Sequence, residues 1–143
     1  MSSDADYMRM ALSEGLNALP ACLPNPPVGC VIVVDDEVIA RGHTQAPGEF
    51  HAEAMALSAA TGELSNATIY VTLEPCSFHG RTPSCARALA SCRVKRVVVA
   101  MLDPDRRNSG AGVEILRKSG VNVEVGLLEA SARNDLGRYL VDC

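Results

Sequence analysis

Arg96-Val97-Val98-Val99-Ala100-Met101-Leu102 is a nearly continuous apolar run of strand length. A strand with one wet face would alternate, and this one does not. Both of its faces are therefore expected to be covered, as in a sheet sandwiched between helices. Its neighbours suit that reading. Upstream, Ala67 to Leu73 alternates like a strand, Glu74 to Pro83 is a loop with two prolines and a glycine, and Cys85 to Cys92 reads as a helix. Downstream, Asp103 to Gly110 is a polar loop and Ala111 to Ser119 a helix stopped at Gly120. Val121 to Val125 then reads as a strand and the remainder from Leu128 as a helix. Strands separated by helices run parallel with helices on both faces.

The N-terminal part differs. Ser3 or Asp4 can cap a helix running to about Leu19, with Tyr7, Met10, Ala11 and Leu12 at helical spacing on its apolar face. Ala21 to Pro27 holds three prolines and an Asn and must be a loop or turn. Val28 to Val34, rich in β-branched residues, and Val38 to His43 flank the turn Asp35-Asp36-Glu37, which predicts a hairpin. A helix from about His51 to Ala60 ends at Gly62. The expected fold is α/β: one domain over residues 1–143, three layers in the order α/β/α, and a mixed sheet of about five strands. The hairpin adds an antiparallel edge.

Composition narrows the function. The 143 residues are 48% hydrophobic and only 3% aromatic with no Trp, so the core must be built from Val, Leu, Ile and Ala. Seventeen acids against 13 Lys plus Arg give a net charge of −4, the wrong sign for gripping a phosphate backbone. Small molecules are the expected partners, not nucleic acid. No apolar run approaches the roughly 18 residues of a membrane span. The start Met-Ser-Ser-Asp-Ala-Asp is acidic where a signal peptide is basic and then apolar. A cytoplasmic location is expected, where six cysteines stay thiols or bind metal.

Two segments carry chemistry. His51-Ala52-Glu53 opens a helix after a loop, and Glu74-Pro75-Cys76-Ser77-Phe78-His79-Gly80-Arg81-Thr82-Pro83-Ser84-Cys85 is a loop with a cysteine near one end and at the other. His51, Cys76 and Cys85 make three ligands for one tetrahedral zinc, with the fourth position left for water, whose pKa zinc lowers to roughly 7. Glu53 is the carboxylate placed to carry protons. Positions i and i+2 do not share a helix face, so the pair is expected in the first turn. Cys85 at a helix start gains from backbone amides that favour a thiolate. The pattern fits the zinc deaminase signature, His-x-Glu then Pro-Cys-x-x-Cys, except that eight residues separate the cysteines here.

The segment from Leu73 to Cys85 closely resembles the deaminase domain of the bacterial riboflavin-biosynthesis deaminase/reductase family, of cytidine deaminase-like fold. That family's two-cysteine motif has this expanded spacing. Pro24 to Val33 looks like that family's first motif, Gly42-His43 through His51-Ala52-Glu53 like its second, and Asp103-Pro104 with Gly110-Ala111-Gly112 like its later loop. The resemblance implies hydrolytic deamination of 2,5-diamino-6-(5-phosphoribosylamino)pyrimidin-4-one to the corresponding uracil. It implies zinc on His51, Cys76 and Cys85, a proton shuttle at Glu53 and a pyrimidine contact at Asn25. His43, His79 and Arg81 would lie near the substrate, Arg81 suited to the phosphate.

Three departures accompany it. Phe78 stands where the family commonly has a second His, and Asp105-Arg106-Arg107 replaces its usual Asn-Pro. The chain stops at Cys143, where the family's reductase domain would begin. A separate reductase chain, or a deaminase serving a branching pathway, is then the expectation, and assembly into a homo-oligomer is open. Two other readings stand beside it. One keeps the chemistry on another pyrimidine, purine or pterin-like ring. The other is a closed structural zinc site, with His79 or His43 as fourth ligand, in a non-enzymatic module. Cys30 reads as core filler. Lys95-Arg96 and Arg106-Arg107 read as solvated surface, with a phosphate contact by Arg106 or Arg107 the alternative.

Overall fold

The computed structural model describes residues 2–78 and 84–140. Helix α1 spans Asp4–Leu16, and Ser3 caps it in a reciprocal box with Asp6. It ends three residues short of the predicted Leu19. Asn17, Ala18 and Leu19 instead turn back on Glu14, Gly15 and Leu16 by tighter bonds.

Strands β1 (Gly29–Val34) and β2 (Glu37–His43) form the expected hairpin. Its turn is Asp35-Asp36, both at positive φ (51° and 61°), the geometry that matches strand twist in a two-residue loop. Helix α2 (Ala52–Ala59), β3 (Thr68–Val71), α3 (Cys85–Ser91), β4 (Arg96–Val99), α4 (Ala111–Lys118), β5 (Asn122–Val125) and α5 (Glu129–Leu136) follow, with a last 3-10 turn at Gly137–Tyr139.

The five strands lie in the order β2-β1-β3-β4-β5. β3, β4 and β5 are parallel. The hairpin docks through β1, which runs antiparallel to β3, so the sheet holds two antiparallel seams where one was expected. Val97, Val98 and Val99 of β4 are all buried, as the unbroken apolar run required. α1 packs on β1, β2 and β3 and touches α5, while α2, α3 and α4 form a contiguous row. The alternation of β1 separates the two layers. A Cβ at Gly29 would strike Ala11 of α1, and Cys30 beside it feels Glu53 of α2.

Strands β3 and β4 pair over four residues each, shorter than the apolar runs containing them. Beyond Val71 and Val99 the Glu74 amide still donates to the Met101 carbonyl at 3.0 Å, and past that bond the chains pass into loops. Those loops border a crevice outside the carboxyl ends of the parallel strands, where open α/β sheets bind ligands.

Candidate active site

The crevice is a cavity of about 230 Å³. His51, Glu53, Glu74, Cys76, Asn25 and Thr44 are among the residues lining it. His51 is the residue before α2, with extended backbone (φ −73°, ψ 169°), which turns its ring off the helix axis and into the cavity wall. Glu53, in the first turn, is only 4% exposed. The helix sits this close to the sheet because Gly42 lies beneath it. A Cβ there would come within 2.2 Å of the Ala52 carbonyl oxygen.

Cys76 is presented by the loop after β3, and the start of α3 holds it. The Ser84 hydroxyl donates to the Cys76 carbonyl at 2.8 Å, the Ala86 amide donates to it at 3.0 Å, and the Cys85 amide donates to the Cys76 sulfur at 3.2 Å. Cys76 and the start of α3 are thus held together, giving two sulfurs side by side without Cys-x-x-Cys spacing.

His51 Nδ1 lies 3.7 Å from Cys76 Sγ and 3.5 Å from Cys85 Sγ, and all three donor atoms are within 4.8 Å of one another. A tetrahedral ion bonded at about 2.3 Å to sulfur and about 2.0 Å to nitrogen separates S from N by about 3.5 Å. The donor set therefore fits one zinc ion.

The electrostatics agree. Hydrogen bonds from Cys85 and from His51 hold the Cys76 thiol down at about 4, a thiolate at neutral pH. Cys85 is pushed up, because its thiol donates to Cys76 and it is buried. A divalent charge is what brings a second coordinating thiol to the thiolate. Burial, reinforced by the negative charge of Cys76, pushes the Glu53 carboxyl up to about 7. A carboxyl poised there both takes and gives a proton near neutral pH.

Residues 1–101 match the family model described as the cytidine and deoxycytidylate deaminase zinc-binding region. The chain belongs to this family. Riboflavin biosynthesis protein RibD of Aquifex aeolicus is 46% identical over 130 residues, 91% of this chain and 36% of that protein. The diaminohydroxyphosphoribosylamino-pyrimidine deaminase of Buchnera aphidicola is 42% identical over 130 residues, covering 91% of this chain and 88% of its own. The structure of Acinetobacter baumannii RibD superimposes with a TM-score of 0.92 at 44% identity, over 96% of this chain and 39% of that one. The chain spans about a third of the length of the RibD proteins it matches.

Of the predicted substrate contacts, Asn25 lines the cavity. His43 is not among its lining residues, and its Nδ1 lies 2.7 Å from the Glu14 carboxylate of α1. His79 and Arg81 fall outside the described residues.

Three lining residues, Glu74, Thr44 and Tyr139, escaped the sequence. The Glu74 carboxylate, 3% exposed, accepts from the amides of Asp103 (3.1 Å), Gly110 (2.9 Å) and Val113 (3.0 Å), binding the later loop and the start of α4. Thr44 donates to the Pro26 carbonyl at 2.9 Å and accepts from the Val28 amide at 3.0 Å, fixing the loop that carries Asn25. Tyr139 reaches the cavity from outside the motifs, and Asp105 and Arg107 line it from the later loop, where the sequence set a departure in charge and a phosphate contact as the alternative to a surface role. Glu74 stood inside the quoted motif, but its partners lie 29 to 39 residues away. Arg96 also departs from the surface reading, being held by Asp4 and Glu124.

Proposed function

We propose that this chain is a zinc-dependent hydrolase that removes the 2-amino group of 2,5-diamino-6-(5-phosphoribosylamino)pyrimidin-4-one, giving the uracil and ammonia. The observation that carries the reading is the His51–Cys76–Cys85 triangle sharing a cavity wall with buried Glu53. Identity of 42% with the Buchnera protein, over 88% of that deaminase, supports the substrate class.

His51, Cys76 and Cys85 hold the metal. When bound, zinc supplies Lewis-acid activation of water at neutral pH. Glu53 takes a proton from the water being added and delivers it to the departing nitrogen, so one water is consumed and one ammonia leaves. Its burial excludes bulk water from that transfer. Asn25, which lines the same cavity, orients the ring by hydrogen bonds. His79 and Arg81 complete the substrate contacts, and His43 acts at one remove, bracing α1 against the end of β2 through Glu14.

Residues 1–143 act as one deaminase unit in this reading, and a separate reductase and self-assembly are compatible with it. Cys22, Cys30 and Cys92 are free thiols, which suits a reducing cytoplasm, and no helix among the described residues is long and apolar enough to cross a membrane. The test is ammonia release by the zinc-loaded protein on the ribotide, beside cytidine and guanine at equal concentration. Release from the ribotide alone is expected. Release from another ring and none from the ribotide would overturn the substrate and keep the chemistry.

A further inference from the structure

Two segments that depart from the resembled pattern, Phe78 and Asp105–Arg107, meet at the cavity mouth. The Arg107 guanidinium carbon lies 4.8 Å from the centre of the Phe78 ring. Asp105 grips the same guanidinium, with Oδ1 and Oδ2 each 3.1 Å from Nε and Oδ2 2.5 Å from Nη2. The grip is itself anchored. Asp105 Oδ1 accepts from the Arg107 amide at 3.0 Å, the Asp105 amide donates to Asp103 Oδ1 at 3.0 Å, and the Ser77 hydroxyl donates to the Arg107 carbonyl at 3.4 Å. A long, rotamer-rich side chain is thus held in one place before any ligand arrives, which removes part of the entropy that binding would otherwise cost.

Size and charge say what it is held for. At about 230 Å³ the cavity is below the roughly 300–1,000 Å³ of sites that swallow a drug-sized ligand, so it takes a ring and leaves the ring's substituent at the mouth. The walls carry Glu53, Glu74, Asp103 and Asp105, a poor setting for an anionic substituent unless a cation is fixed beside it. Asp105 engages Nε and Nη2 of the guanidinium, whose planar fork of five N–H donors is the geometry that matches a phosphate.

We propose that Arg107 recognises the phosphate of a phosphoribosyl substrate, and that Asp105 and Phe78 are the positioning residues that hold it at the mouth. This rests on the deaminase reading above. Arg107 then selects phosphorylated substrates, while the ring is selected deeper in the cavity. Its side chain is 70% exposed, so its contribution is expected to be about tenfold, the lower end for a charge-assisted bond.

The experiment compares ribotide and dephosphorylated riboside kinetics in the wild type, R107Q, D105N and F78A, with titration of ribose 5-phosphate into each protein. Expected for R107Q is a roughly tenfold higher KM on the ribotide, kcat within about twofold, and an unchanged riboside. D105N and F78A should move the ribotide KM the same way by less, and add nothing to R107Q. Equal losses on both substrates, or none on either, would overturn the assignment. Should the wild type deaminate neither compound, the deaminase reading fails separately. Ribose 5-phosphate binding that weakens about tenfold in R107Q would still support the phosphate site, and binding that is absent or unchanged would overturn it.

Discussion

The floor and the mouth of the cavity are built by opposite means. At the floor, Glu53, Cys85 and Glu74 are 3–4% exposed, and backbone amides, close helix contacts and burial set their positions and charges. At the mouth, Phe78 is 37% exposed and Arg107 is held by side chains and loop turns. A buried carboxylate or thiolate changes its proton affinity strongly, because desolvation is costly and neighbouring charges act through little water. An exposed ion pair changes little about reactivity, but it decides which charged molecule enters. Chemistry therefore belongs to the floor and discrimination to the mouth.

That division can be broken most severely from below. C85A removes one of three metal ligands and leaves only His51 and Cys76. Zinc content by atomic absorption should fall well below one per chain and turnover should be lost with it. A C85A protein that kept full zinc and turnover would mean that the ligand set is wrong.

Glu74 ties the two regions together. E74Q keeps the shape of the side chain but presents an amide where three buried N–H groups now find a carboxylate. The expected cost is about 2 kcal/mol, seen as a Tm lower by about 6–8 °C, with weaker zinc binding and a higher substrate KM together. A change confined to one of the two would show that floor and mouth are independent.

Asp4 tests the opposite extreme, a charge remote from both. Its carboxyl is held down at about 2 by hydrogen bonds from Arg96 and from the Tyr70 hydroxyl, at 2.5 Å, which link α1 to β3 and β4. A carboxyl lowered on folding binds fewer protons in the native state. It therefore stabilises in full above about pH 4, the ordinary range, and ceases to do so as pH falls toward 2. With the Asp4 side chain 41% exposed, about 1 kcal/mol is expected. D4N should lower stability by that amount at pH 7, flatten its acid dependence in urea melts and leave kcat and KM alone.

The sheet and the metal ligands were legible because each rests on local signals. Unbroken valines mark β4, two aspartates mark the hairpin turn, and His-x-Glu and the two cysteines supply donors whatever path joins them. The antiparallel β1–β3 seam was not legible, since it depends on which strand of the hairpin docks. Glu74 needed the fold itself, and so did the partner of Arg107. Glu74 meets amides 29 to 39 residues away, and Arg107 meets a ring contributed by the other motif loop. His43 shows the reverse, a residue in a suggestive motif whose ring nitrogen lies against a carboxylate of α1.

The most direct test of the account is E53Q, measured for zinc content and for ammonia release on the ribotide in the same preparation. Gln keeps the size of the buried side chain and removes its ability to carry a proton. One zinc per chain with turnover reduced by about 10²–10⁴-fold is the predicted result. Turnover retained at the wild-type rate with zinc bound would contradict it.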